Sequence, residues 1–156
     1  MNTWFSPIVK VLKSPPKRSF YIYPLIVIVW EWFLRDGRLA IEPLYLILMI
    51  WGYAQFKFSR GYHRKVGLRA DLKPWDRLAR SGIYEYTRNP IYLGQIIFLI
   101  GLALTLNSIL AAVIAAGTAV WFHNRVLGEE RRMTELYGDA YLDYMNQVKR
   151  WIPKLF

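Results

Sequence analysis

Gly82-Ile83-Tyr84-Glu85-Tyr86-Thr87-Arg88-Asn89-Pro90-Ile91-Tyr92-Leu93-Gly94 is a turn rich in Gly, Pro, Arg and Tyr that opens directly into an apolar run. Asn is a residue type that caps a helix and Pro suits its first turn, so Asn89-Pro90 marks a helix start. The unpaired N–H groups of such a start attract a carboxylate or another anion. A plainer alternative is an interfacial helix whose Arg88 reaches out to lipid headgroups.

Outward from this block, four apolar segments stand out: Phe20 to Leu34, Leu39 to Phe58, Ile91 to Leu106, and Ile109 to Phe122. A helix that spans a bilayer needs about 20 apolar residues, and shorter runs are often buried or re-entrant. Both alternatives stand for the shorter segments, although interfacial Trp and Tyr extend most of them. Lys10, Lys13, Lys17 and Arg18 precede the first segment. Between the second and third lie Lys57, Arg60, Arg64, Lys65, Arg69, Lys73, Arg77, Arg80 and Arg88. Short loops rich in Lys and Arg stay in the cytoplasm. The other links, Asp36-Gly37-Arg38 and Asn107-Ser108, read as tight hairpin turns on the far side. The expected architecture is therefore all-α, an integral membrane bundle of about four transmembrane helices in two hairpins with both termini cytoplasmic. A single domain, residues 1–156, is expected.

At the N-terminus, Trp4, Ile8, Val11 and Leu12 recur at helical spacing, which suits an interfacial helix within residues 1–18 that ends at Pro15-Pro16. A disordered basic tail is the alternative. After Phe122 the chain turns polar, and Met133, Leu136, Tyr137, Tyr141, Tyr144 and Val148 suggest an amphipathic cytoplasmic helical segment interrupted at Gly138. Gly101, Ala103, Ala111, Ala112, Ala115, Ala116 and Gly117 are small residues of the kind that let membrane helices approach closely.

Composition agrees with a membrane protein: 54% of residues are apolar and 17% aromatic, including seven Trp and eleven Tyr. The absence of cysteine rules out disulfides, thiolate metal sites and a cysteine nucleophile, and only His63 and His123 remain for a histidine-based metal site. No metal is expected. A net charge of +10 is compatible with nucleic acid binding, but the basic residues flank apolar segments, so topology and anionic membrane lipids account for them better. No nucleic acid partner is expected.

A second polar element, His123-Asn124-Arg125-Val126-Leu127-Gly128-Glu129-Glu130, emerges from the fourth apolar segment. Adjacent carboxylates at a membrane edge need cationic or hydrogen-bonding partners if buried. They read equally as solvated charges favoured by a helix dipole. His63, in the basic loop, reads as solvated. His123, beside Arg125, is a candidate for a pocket wall. Glu31, between Trp30 and Trp32, reads as interfacial.

Together, Gly82-x-Tyr84, Arg88-Asn89-Pro90-x-Tyr92-x-Gly94, an apolar hairpin, Arg125, Glu129-Glu130, Tyr137-Gly138, Tyr141, Tyr144 and Arg150-Trp151-Ile152-Pro153 form an ordered set. This set resembles the isoprenylcysteine carboxyl methyltransferase family and its relatives among the membrane phospholipid methyltransferases. The resemblance runs from Leu78 to Pro153, about half of the chain. It departs from the carboxyl methyltransferases at Asn89, where they commonly carry His.

The resemblance implies S-adenosyl-L-methionine as cofactor. Its site would draw on Asp76, Arg77, Leu78, Ala79, Tyr84, Asn89, Pro90, Ile91 and Tyr92, with Glu129 on the ribose. Arg125 and Glu130 would be the catalytic pair. A substrate carboxylate needs a cation such as Arg125 to orient it, whereas an amine must lose a proton to a base such as Glu130. The implied reaction is methylation of a lipophilic, membrane-partitioned substrate, prenylcysteine-like or phospholipid-like, in a prokaryotic inner membrane. A nicotinamide-dependent membrane reductase of the steroid-reductase type and a non-catalytic membrane module are the alternatives.

Overall fold

Helix α1, Tyr23–Leu34, is entered through a short helical turn, Pro15–Lys17, and a π-helical turn, Arg18–Ile22, in a computed structural model that describes residues 14–67 and 80–152. Trp4, Ile8, Val11 and Leu12, the expected cofactor segment Asp76, Arg77, Leu78 and Ala79, and Pro153 lie outside the described residues. Pro15 and Pro16 open a helix instead of ending one, because a first-turn proline lacks only an N–H that would have had no partner. The remaining helices are α2, Leu46–Gly67; α3, Pro90–Thr105; α4, Ile109–Tyr137; and α5, Asp139–Gln147. No strand occurs among the described residues, so the fold is all-α.

The second apolar segment does not become helical at Leu39. Residues 38–42 are irregular, and a single 3-10 turn, Pro43–Tyr45, leads into α2. Glu42 is extended, with φ −100° and ψ 95°, as the residue before a proline prefers. At the other end α2 runs on past Phe58 to Gly67, where Arg60, Arg64 and Lys65 are good helix formers and the single Gly61 does not stop it. The start of the expected basic loop, from Lys57 to Gly67, is helix. Likewise α4 continues from Phe122 to Tyr137, where Gly138, at φ +55°, stops it. The Gly138 N–H bonds back to the Thr134 carbonyl at 2.8 Å, and α5 follows at once.

The described residues group into two compact units, one holding residues up to Tyr53 with Gln95–Thr118, the other Ala54–Gly94 with the chain from Ala119 onward. In the first, Val27 packs with Phe98, Leu99, Leu102, Leu106, Ala111 and Ala115. Phe20 sets its ring edge-on to Tyr53 and Phe98, at centroid distances of 5.2 and 4.8 Å. Gly101 makes this packing possible. A Cβ there would lie 2.7 Å from the Met49 backbone nitrogen, so α2 and α3 touch backbone to backbone. The small residues of α4 divide by face: Ala111 and Ala115 are buried, whereas Ala112, Ala116 and Gly117 are exposed.

Glu31 is not interfacial but buried, at 2% exposure. Arg35 Nε donates to its Oε2 at 2.8 Å, and the Ser108 hydroxyl donates to its Oε1. Arg35 Nη2 donates in addition to the Asn107 carbonyl at 2.8 Å. This clasp ties the end of α1 to the turn between α3 and α4, where Asn107 takes φ +45°. Around it, apolar side chains face outward: Leu25, Trp30, Trp32 and Phe33 of α1 and Ile47, Ile50 and Trp51 of α2 are all exposed. A carboxylate inside and Trp, Phe and Ile outside invert the usual order of a water-soluble protein. By length and composition, α4 is the helix among the described residues able to cross a membrane, and α3 is apolar but shorter.

Candidate active site

The second unit gathers the polar motifs. Its 3-10 turn, Gly82–Glu85, starts from Gly82 at φ +62°, whose N–H donates to Glu85 Oε1 at 3.0 Å. A Cβ on Gly82 would come within 3.1 Å of the Tyr62 ring, so glycine is needed for both the dihedral and the fit against α2. The turn buries Tyr84. Its hydroxyl lies 3.3 Å from His63 Nδ1, and its carbonyl accepts the Tyr144 hydroxyl at 2.8 Å. Burial raises both phenols well above their ordinary range, and neighbouring phenols add to the effect. Tyr141 is pushed up to about 12, by burial first and by the Glu130 charge second. All three remain neutral phenols across the physiological range.

Arg88 is not an interfacial snorkel. Its side chain is 9% exposed, and Nη1 donates to the carbonyls of Met145 at 2.8 Å and Val148 at 3.1 Å. Its Nη2 donates to Glu130 Oε1 at 2.8 Å. Arg150 grips the same carboxylate from the chain end, Nε to Oε1 at 3.0 Å and Nη2 to Oε2 at 2.7 Å. That bidentate bond holds the Arg150 guanidinium above its usual value. A buried carboxylate thus joins α4 to the residues before α3 and after α5.

Asn89 occupies the capping position of α3 through its backbone, its carbonyl accepting the Leu93 N–H at 3.0 Å. Its side chain is turned elsewhere: Nδ2 donates to the Arg150 carbonyl at 3.4 Å, the carbonyl that Thr87 Oγ1 also reaches at 3.1 Å. Pro90, in the first turn, is buried, and Gln55 Nε2 donates to its carbonyl at 3.3 Å.

Tyr92, Arg125 and Glu129 form a triangle. The Tyr92 hydroxyl donates to Glu129 Oε1 at 2.9 Å, and Arg125 Nε lies 2.9 Å from both the Tyr92 oxygen and Glu129 Oε1. Tyr92 stacks on Phe122 with centroids 4.6 Å apart, and the Arg125 guanidinium sits 5.7 Å above the Trp121 ring. Glu129 and Arg125 are about half exposed, in contrast to Glu130.

A cavity of about 380 Å³ brings these parts together. Its wall is made by His63 of α2, by Tyr84, by Arg88 to Tyr92, by Glu129, Arg132 and Met133 of α4, and by Tyr141 and Tyr144 of α5. Of the expected site residues, Tyr84, Asn89, Pro90, Ile91, Tyr92 and Glu129 line it. Arg125 bonds to two of them. Glu130 is instead on a separate cavity of about 600 Å³, with Leu127, Arg131, Thr134, Glu135, Met145 and Arg150. His123 takes the Trp151 indole N–H on Nδ1 at 3.3 Å. Sequence reasoning did not assign His63, Arg132, Met133, Tyr141 or Tyr144 to the pocket. Tyr141 and Tyr144 carried a signal, their three-residue spacing on an amphipathic helix, whereas His63 carried none.

The sequence profile for phospholipid methyltransferase matches residues 44–140. The chain is 29% identical over 113 residues to the protein-S-isoprenylcysteine O-methyltransferase of Rattus norvegicus, covering 69% of this chain and 39% of the relative. It is 35% identical over 78 residues to the enzyme of that name from Saccharomyces cerevisiae, covering 49% of this chain and 32% of the relative. Similarity to methanethiol S-methyltransferase 1 of Bradyrhizobium diazoefficiens is lower, 25%, but extends over 97% of this chain and 59% of the relative. The chain thus spans about two fifths of the rat relative and about three fifths of the bacterial one. No solved structure matches. With a profile match over well more than half of its residues, centred on the helices that build the cavity, the chain belongs to the phospholipid methyltransferase family.

Proposed function

We propose that the protein transfers a methyl group from S-adenosylmethionine to a lipophilic acceptor at a membrane. The observation that carries this reading is the convergence of Tyr84, the Asn89–Tyr92 helix start and Glu129 on one cavity, from segments far apart in sequence. The donor set fits the cofactor. A half-exposed carboxylate suits ribose hydroxyls, a helix N-terminus suits an amino-acid carboxylate, and Tyr rings suit a purine. The volume, about 380 Å³, falls within the ~300–1,000 Å³ typical of small-molecule sites. When bound, the cofactor supplies an electrophilic methyl on a sulfonium.

The protein's part is to hold the acceptor close and aligned and to keep water out. Glu129 is held for its task by Tyr92 and Arg125, which fix the position of Oε1. Glu130 is a positioning residue in this scheme. With bonds to two arginines it fastens the end of the chain to the start of α3, and so fixes the wall on which Asn89 and Pro90 lie. The outward apolar faces support four membrane-spanning segments in two hairpins, with the Arg- and Lys-rich face and both termini in the cytoplasm. The acceptor then enters from the bilayer and the cofactor from the cytoplasm.

Purified protein in lipid vesicles, given radiolabelled S-adenosylmethionine with a prenylcysteine analogue, phosphatidylethanolamine or an alkyl thiol, should methylate one of the three. Absence of label from every acceptor, with the cofactor shown to bind, would contradict the membrane-acceptor reading.

A further inference from the structure

His63 stands near the end of α2 on the wall of the 380 Å³ cavity, in company with Tyr84, Tyr92 and Glu129. Its Nδ1 lies 3.3 Å from the Tyr84 hydroxyl, with the two rings 6.0 Å apart. Tyr84 is itself fixed, since its carbonyl accepts the Tyr144 hydroxyl. Tyr84 is buried at 7% exposure while His63 is exposed, so the imidazole borders both the cavity and water. In the tautomer whose Nδ1–H donates to the Tyr84 oxygen, Nε2 carries the basic lone pair.

A carboxylate acceptor would require a cation; Arg132 on the cavity wall is exposed to water, and the other two arginines beside the cavity are engaged. Arg125 donates to Glu129 and Tyr92, and Arg88 donates to Glu130 and two backbone carbonyls. A thiol or amine acceptor requires a base instead, and Glu130 lies off this cavity in the grip of two arginines. His63 is the imidazole on the cavity wall.

We propose that His63 is a catalytic residue that accepts the proton of a protic methyl acceptor, a thiol or an amine, and that the site therefore methylates this class in preference to carboxylates. The proposal rests on the methyltransferase reading above. The acceptor's sulfur or nitrogen lone pair forms the new bond to carbon, and the electron pair of the broken bond stays on the donor's sulfur. The acceptor's proton passes to His63 Nε2 and is then given up to bulk water, which the exposed ring borders. The charged groups that share the cavity wall with His63 are Glu129, Arg132 and Arg88. Tyr84, Tyr92, Tyr141 and Tyr144 face the cavity as phenols, and Arg60, Arg64 and Lys65 flank His63 on its own helix.

The test uses the full chain in lipid vesicles with an alkyl thiol, an alkylamine and a prenylcysteine carboxylate analogue, each assayed over a range of pH. Calorimetry with S-adenosylmethionine is run first. In the unmutated protein, kcat/KM for the thiol or amine should fall at acid pH as the base is protonated. His63→Gln should lower that kcat/KM by about 100-fold and abolish the acidic limb, general-base contributions being typically ~10²–10⁴-fold. Cofactor affinity should change by less than about twofold, because the cofactor's expected contacts are with other residues. Free imidazole should restore part of the rate to His63→Ala. Retention of the acidic limb in His63→Gln at near-normal rate overturns the proposal, as does a preference of the unmutated enzyme for the carboxylate analogue. Failure of the unmutated protein to bind S-adenosylmethionine overturns the methyltransferase reading itself, and calorimetry shows it before any acceptor is added.

Discussion

Glu129 and Glu130 are neighbours in sequence with different surroundings. Successive helical residues point about 100° apart, so one carboxylate of the pair turns to the cavity and the other to Arg88 and Arg150. The sequence displayed both residues but not this division, because Glu130's partners lie 42 positions upstream and 20 downstream. Substitutions should separate the roles. Glu129→Gln should weaken S-adenosylmethionine binding by about tenfold or more, since a hydrogen bond to a charged group is typically worth ~1.5–3 kcal/mol. Sequence reasoning assigned Arg125 to the substrate alone, which implies that Arg125→Ala leaves cofactor affinity intact. Its bonds to Glu129 and Tyr92 now predict a smaller loss of affinity, about threefold, beside a fall in turnover. Glu130→Gln should act on stability instead. Breaking a buried ion pair by removing one partner costs ~3–5 kcal/mol, which a thermal melt in detergent will detect. Equal affinity loss in Glu129→Gln and Glu130→Gln with unchanged melting would refute the division.

Among the elements, those governed by local backbone chemistry were legible. Pro90 opens α3, Asn107-Ser108 turns between α3 and α4, and Gly138 divides α4 from α5, each a residue type with a defined backbone preference. The ends of α2 were not legible from hydropathy, which marks where a chain leaves an apolar environment and not where a helix ends. Its start is set by Pro43, and its Arg- and Lys-rich continuation places His63 on the cavity wall. Gly101 was legible as a small residue, but only the structure shows the partner, the backbone of α2 at Met49. Gly101→Ala must push α2 and α3 apart, because the clash is with backbone. Overpacking of this kind costs about 1–3 kcal/mol, so the variant should melt several degrees lower, whereas Gly117→Ala, with open space around it, should not. Equal melting of the two variants would contradict the contact.

For the whole molecule, composition already indicated an apolar, helical, basic chain, and the exposed Trp, Phe and Ile of α1 and α2 add the face on which that apolarity is displayed. The cavity was legible only in part, since the motifs named half its wall while α5 and the end of α2 joined through long-range packing. The absence of native cysteine lets single cysteines report topology. Arg38→Cys and Ile109→Cys should react with an impermeant maleimide in intact cells, while Arg64→Cys and Lys149→Cys should react only after permeabilisation. The reverse pattern, or labelling of all four in intact cells, would overturn the two-hairpin arrangement. The most direct test of the central claim is calorimetric titration of S-adenosylmethionine into the unmutated protein in detergent, with NADPH titrated in parallel. Saturable binding of S-adenosylmethionine and none of NADPH is predicted; NADPH binding, or no heat from S-adenosylmethionine, would contradict the account.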